Sequence, residues 1–452
     1  MPHSRIKKAI RPISRPFSWA AALAVVFGLG GGSSCLQART FRDLPAAVQT
    51  LYQDGVPHTE RTGEVRYDYD SARSFFPIGI YHALQGEFAG RAYDFGLLRE
   101  AGFNTVLPWR DQSLERAAAA AAAHGLQIIW HSPTDAELTA FGRHPTVLGW
   151  DIDHEPSVAE PDTAGEIRLQ QFVERRRQVR ALSPGRAVFT VNSPSISPPR
   201  TALWQAWAKA GDIVSFWKYP FFDPPVRSLT GVRGLPEVTA LAVEAGLARK
   251  PILYVAQAFR GHSLEWFFPD PAAARAMAYT ALVHGATGIV WFSLDSFVTR
   301  NDDVIGIHPE PADDYGIELP GRRQTTLMRP ADGAHLQDSR RLWQTVREIN
   351  GQLAELTPIL LAKTARRSYA LAIAGQSVSP TPIRTLLKPA GTGYVLIAVN
   401  VDAAPVTARF SFQTSIGNIE RLYDQDPAPA AGDTGWVDSF GPLAVRIYRL
   451  ER

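Results

Sequence analysis

Eight apolar, strand-like runs recur along residues 75–296, each followed by a stretch of helical character. This alternation constrains the fold more than any other feature of the chain. FFPIGIYH (75–82), NTVLPW (104–109), LQIIWHS (126–132) and VLGWDIDHEP (147–156) form the first half. AVFTVNSP (187–194), DIVSFWKYPF (212–221), PILYVAQAF (251–259) and GIVWFSLDS (288–296) form the second. Helix stop signals separate them: Ala101-Gly102, Gly125, and Pro184-Gly185 after a long charged helix over 164–182. An α/β fold of the closed (β/α)8 (TIM) barrel type is expected, ending in a helix over 340–356. No glycine-rich phosphate loop follows any run, which argues against an open, doubly wound sheet.

Beyond Thr357-Pro358 the texture changes. YALAIAG (369–375), YVLIAVNV (394–401), VTARFSF (406–412) and LAVRIYRL (443–450) are short alternating runs separated by Pro, Gly and Asp. They predict a small C-terminal antiparallel β-sandwich. The expected division is a secretion signal over 1–38, a polar lead-in over 39–74 covering one end of the barrel, the barrel over 75–358 and the sandwich over 359–452.

The first segment has the composition of an export signal: Arg5, Lys7, Lys8, Arg11 and Arg15 precede an apolar run from Phe17 to Leu29. Leu36-Gln37-Ala38 offers a cleavage site. A periplasmic or extracellular location follows, with a membrane as partner only if Cys35 carries a lipid. Cys35 is the single cysteine, so the mature domains are held by packing rather than disulfides. The formal net charge of +3 is too small, and no basic run is dense enough, to argue for a nucleic-acid partner, and none is expected. Eleven tryptophans, several at strand ends, suit a sugar partner whose flat face stacks on them.

The chemistry is sought in the fourth run. Read as a strand, it places Leu148, Trp150 and Ile152 on one face and Asp151, Asp153 and Glu155 on the other. Three acids on an apolar strand are costly to bury and need partners or a task. Glu155 stands at the strand's C-terminal end, where barrels of this type keep their chemistry. Glycoside hydrolysis needs a proton donor and a second carboxylate, or a substrate group, to meet the oxocarbenium-like centre. Glu155 suits the donor, with Asp153 or Asp295 as the second group; Asp151, deeper, is read as a structural acid.

Parity on the eighth run points Trp291, Ser293 and Asp295 inward and Val290, Phe292 and Leu294 toward the helices. The fifth run likewise points Thr190 and Asn192 inward. His82, His154, Asn192 and Gln257 are expected to bind hydroxyls, and Trp109, Trp130, Trp217, Tyr219 and Trp291 to stack on sugar rings. His82, His131 and His154 near strand ends invite a metal, but no paired spacing such as HExxH occurs, so neither metal nor cofactor is expected. Over 297–338 an acidic rim containing Asp302, Asp303, Asp313 and Asp314 matches no calcium loop.

On His154-Glu155-Pro156 the chain resembles the (β/α)8 glycosidases that include cellulases and β-galactosidases, whose fourth strand ends in Asn-Glu-Pro with the glutamate as acid/base. The resemblance implies a glutamate nucleophile ending strand seven, where this chain has Gln257. On Asp151, Asp153 and Glu155 it is also similar to the chitinase-like barrels, whose Asp-x-Asp-x-Glu implies a middle aspartate that orients an acetamido nucleophile of the substrate. Trp217-Lys218-Tyr219 is loosely similar to that family's sixth strand, although Pro220 stands where it has aspartate. A barrel that binds carbohydrate without cleaving it is the remaining reading.

Overall fold

The computed structural model describes residues 51–451 apart from 71, 89–90, 110–111, 154–161, 195–199, 223–227, 231–233, 262–265, 299–302, 310–325, 328–332 and 376–380. Parallel strands β1 (Ile78–Ala83), β2 (Thr105–Pro108), β3 (Gln127–His131) and β4 (Val147–Asp151) pair in chain order, and β4 then pairs with Ala187–Phe189. Val191–Asn192 pairs with β6 (Val214–Trp217), which continues through β7 (Ile252–Gln257) and β8 (Gly288–Phe292) back to β1. The two ends of this sheet are therefore halves of one run, 187–192, interrupted at Thr190. Taken together they are β5, and the sheet closes into the expected eight-stranded barrel.

Two hydrophobic layers flank the closed sheet. The interior takes Tyr81, Leu107, Ile129, Leu148, Phe189, Val255 and Val290. The outer layer takes Ile80, Val106, Ile128, Trp150, Phe216, Tyr254 and Ile289 together with helix residues such as Ala117, Trp204 and Leu342. Gly79 lies on the interior side because a Cβ there would press on Val290 Cγ2 at 3.1 Å.

The helices, among them α1 (Phe95–Glu100), α5 (Arg200–Ala210) and α6 (Leu235–Ala245), begin and end where local chemistry dictates. In α2 (Leu114–His124) the Ser113 hydroxyl accepts from the Arg116 amide, and Gly125 closes the helix in the left-handed region at φ 66°. Thr134 and Glu137 form a reciprocal capping box on α3 (Asp135–Phe141). Asp270 caps α7 (Pro271–Val283), which has proline in its first turn. Among the described residues, no helix is long and apolar enough to cross a membrane.

The lead-in contributes a small antiparallel sheet, with His58–Glu60 between Val65–Arg66 and Ser74–Phe75. Phe75 joins the barrel's interior cluster and Val65 packs against it, so this sheet plugs the N-terminal end of the barrel. Where the sequence offered no structure after the eighth run, Phe297–Val298, Asp303–Ile305 and Thr326–Leu327 join Arg260–Gly261 in a four-stranded sheet. Asp302, Asp313 and Asp314 lie outside the described residues.

The C-terminal region is a sandwich of two antiparallel sheets. Numbered onward from the barrel, β9 (Tyr369–Ile373), β12 (Val406–Phe412) and β14 (Gly435–Phe440) form one. The other holds β10 (Ile383–Ala390), β11 (Gly393–Asn400), β15 (Val445–Leu450) and β13 (Ile419–Leu422). Strand β11 is buried on both faces: Leu396 and Ala398 face the sandwich core, while Val395, Ile397 and Val399 join the barrel's outer layer. Arg275 of α7 adds a hydrogen bond to the Val445 carbonyl at 2.7 Å.

His284, the C-cap of α7, is half-buried near Arg384 of β10, with its Nε2 buried and without a hydrogen-bond partner among the described residues. Burial, reinforced by the Arg384 charge, pushes its imidazolium down to about 3. Between about pH 6.5 and 3 the unfolded chain holds a proton that the folded chain does not, so stability falls as pH drops through that window. The slope this residue adds is at most about 1.4 kcal/mol per pH unit. Urea unfolding from pH 7 to pH 4 should show a shallower loss in His284→Phe than in the native chain, with neutral-pH stability retained.

Candidate active site

The C-terminal mouth of the barrel is walled by aromatic rings. Trp109, following β2, stacks on His82 with centroids 3.7 Å apart and planes at 12°. His82 meets Phe292 and Phe297 edge-on at 5.0 and 4.8 Å. Phe292 lies against Tyr219, which stacks on Trp217 at 4.8 Å. Phe259 and Trp266 complete the wall, each edge-on to Tyr219. Trp109 is buried, whereas His82, Trp217, Trp266 and Phe292 keep part of their surface open.

Asp295 is the carboxylate set into this wall. It is 1% exposed, and its Oδ1 accepts from the Tyr93 hydroxyl at 2.9 Å and the Ser296 amide at 3.3 Å. The Ser293 hydroxyl donates to the Asp295 carbonyl and lies 3.1 Å from His82 Nδ1. His82 reaches this contact from a left-handed backbone, φ 62°. The His308 ring packs edge-on against Tyr93 at 5.4 Å. Tyr93, Phe259, Trp266 and His308 carry no motif, and only the folded loops reveal them.

Strand β4 departs from simple alternation. Its register to β3 shifts by one residue between Val147 and Gly149, a bulge that turns Leu148 into the interior. Trp150 and Ile152 face the helices, and the Trp150 indole donates to Ser183 at 2.8 Å. Leu148 therefore does not share their face, contrary to the alternation read from sequence. Asp151 is fully buried and accepts from the Val191 amide at 3.3 Å. Asp153 is half-buried and bound by Arg168 of α4 (Asp162–Leu182) at 2.6 Å. The expected catalyst Glu155 and its neighbour His154 lie outside the described residues.

Four binding assignments need correction. Trp291 belongs to the outer layer, where its indole donates to Asn350 of α8 (Gly333–Leu360) at 3.0 Å, while Val290 and Phe292 pack in the interior. Parity over Val290–Phe292 is the reverse of that expected, because a strand apolar on both sides carries no mark of which side is which, whereas Leu294 joins the outer layer as expected. Trp130 likewise sits among the strand–helix contacts, 1% exposed, and offers no stacking face. Phe189 and Val191 occupy the interior, so Asn192 alternates to the other side, where its side-chain Oδ1 accepts from the Ser193 amide.

Gln257 is 0% exposed and committed to backbone. Its Oε1 accepts from the Phe221 amide at 3.0 Å, and its Nε2 donates to the Phe221 and Phe267 carbonyls at 3.0 and 2.8 Å. It ties together the loops that carry Tyr219 and Trp266 rather than binding a ligand. His82, Trp109, Trp217 and Tyr219 do lie together at the mouth. His131 ends β3, and among the described residues no group of three or more His, Cys, Asp or Glu is placed to hold a metal.

No family model and no curated protein matches the sequence. Among solved structures, the chain is similar to a β-galactosidase from Bacillus circulans sp. alkalophilus at TM-score 0.51 and 9% identity, over 83% of this chain and 99% of that one. A GH30 endoxylanase from Clostridium papyrosolvens C71 aligns at TM-score 0.44 and 9% identity, over 88% and 98%. An alpha-amylase from H. orenii aligns at 0.47 and 10%, over 83% and 100%. At such identities the galactosidase match supports the fold alone.

Replacing Gln257 by glutamate should not create a nucleophile. The new oxygen would face two carbonyls, each left without its donor at about 1–3 kcal/mol apiece. Gln257→Glu is expected to lower the thermal midpoint by several degrees and to redshift tryptophan emission, with no gain of activity.

Proposed function

We propose that the chain is a secreted glycoside hydrolase that cleaves a poly- or oligosaccharide at the C-terminal mouth of the barrel. Glu155 serves as general acid/base and Asp295 as the second carboxylate. The observation that carries the reading is Asp295 held by Tyr93 within a wall of partly open aromatic rings. Sugars present flat C–H faces to such rings and hydroxyls to the polar groups between them. The match to a β-galactosidase of the same fold is consistent with this chemistry.

Asp153 drops out of the pair in this reading. Its carboxylate is taken by Arg168, which also weakens the chitinase-like alternative that needs this aspartate for an acetamido group. A second reading, a barrel that binds carbohydrate without turnover, is favoured by the backbone-locked Gln257 at the end of β7. Export rests on the basic and apolar N-terminal segment, and attachment to a membrane on lipidation of Cys35.

Reducing-sugar release from a panel of neutral polysaccharides tests the proposal. Glu155→Gln and Asp295→Asn should each lower kcat about 10²–10⁴-fold with the fold intact by circular dichroism. Tyr93→Phe, which removes one hydrogen bond to Asp295, should cost about tenfold. Sugar binding without turnover by the native chain would establish the second reading instead. A product anomer that matches the substrate's would assign Asp295 as nucleophile, and an inverted anomer would assign it as base.

A further inference from the structure

A second concavity lies at the opposite end of the barrel. The cleft measures about 630 Å³ and sits where the chain enters β5, β6 and β7, closed on one side by the lead-in residues 63–66. Six cationic side chains line it, Arg66, Arg176, Arg180, Arg186, Arg249 and Lys250, against two acids, Glu64 and Asp212. This end of a barrel ordinarily carries contacts for stability, and a structural ion-pair network would be close to neutral. Here the cations outnumber the acids three to one.

The partners account for only part of that charge. Arg66 is neutralised by Glu64 at 2.9 Å and by Glu60, behind the cleft, at 3.2 Å. Arg176 and Arg180 share a single oxygen of Asp212, at 2.5 and 2.6 Å, while the other oxygen accepts from the Val188 amide. Arg186 donates to the His144 and Thr62 carbonyls, and Lys250 to the Gly211 and Lys209 carbonyls; all four acceptors are neutral. Among the described residues, Arg186, Arg249 and Lys250 have no carboxylate within ion-pair distance. The Nε–H groups of Arg176 and Arg186 are buried without an acceptor. Burial holds both Lys250 and Arg186 below their ordinary values; Asp212 opposes this at Lys250 while Arg176 and Arg180 add to it, and Glu64 opposes it at Arg186.

We propose that this cleft binds a small ligand bearing two or more oxyanion groups, whether phosphate, sulfate or carboxylate. Guanidinium groups match the paired oxygens of all three, and a concave cluster of like charge focuses its field on such a ligand. The volume falls within the range of small-molecule sites and exceeds what one inorganic anion fills. The cleft lies away from the mouth, so the proposal stands apart from the glycosidase reading.

Isothermal titration of the full chain at low salt tests it with pyrophosphate, a disulfated disaccharide and a digalacturonate, with maltose as neutral control. At least one polyanion should bind with Kd below about 1 mM, more weakly as salt rises, and maltose should not bind at this cleft. The anion that binds best identifies the source as a phosphate ester, a sulfated sugar or a uronate. Arg249→Glu changes an exposed side chain and should weaken binding at least tenfold; Arg180→Gln leaves Asp212 paired with Arg176 and should weaken it less. Both variants should retain the native unfolding midpoint and any activity at the mouth. Absence of polyanion binding at about 5 mM, or affinity unchanged in both variants, would overturn the proposal.

Discussion

The structure depends on closing a parallel sheet through one short, broken strand. Phe189 still pairs with Asp151 in β4, and Asn192 with Phe216 in β6, but Thr190 between them leaves the ladder. Its hydroxyl turns to the Asp153 carbonyl, and the Val191 amide turns to the Asp151 carboxylate. A buried carboxylate without hydrogen bonds would cost several kcal/mol, so its use here is specific: Asp151 supplies the acceptor that the interrupted ladder lacks. The acid read from sequence as structural is thereby a closure element, next to the strand end that carries Asp153.

Closure also separates two chemical environments. Parallel strands send all their C-terminal ends to one side, where the loops after β1, β2, β6, β7 and β8 bring aromatic rings around Asp295. Their N-terminal ends meet at the other side, where the segments entering β5, β6 and β7 bring arginine and lysine around Asp212. Between them the interior holds an apolar layer that includes Leu107, Ile129, Val255 and Val290.

The fold was legible in the sequence because it depends on alternation of element type, which survives any error about faces. The eight runs and the sandwich stand where they were expected. Faces were another matter. Trp130, Trp150 and Trp291 all lie toward the helices, and two of their indole nitrogens found Ser183 and Asn350, partners from distant segments that no local pattern announces. The bulge at Leu148 inverted one strand locally, and in β5 Phe189 and Val191 took the interior on both sides of Thr190. Of the mouth residues, His82, Trp109, Trp217, Tyr219 and Asp295 could be anticipated from position at strand ends. Tyr93 could not, because it reaches Asp295 across 202 residues.

Gln257 shows how the wall and the choice of carboxylate are linked. The residue ending β7 has both a donor and an acceptor, and the site it fills presents one amide and two carbonyls. A carboxylate has no donor for those carbonyls at neutral pH and would repel both. The loops held by Gln257 carry Tyr219 and Trp266, whose rings meet edge-on at 5.7 Å. A nucleophile at this strand end and an aromatic wall built on these loops are therefore alternatives for one position. The chain has taken the wall, and in the proposed reading the second carboxylate comes from a neighbouring strand end, where Asp295 lies beside Tyr93.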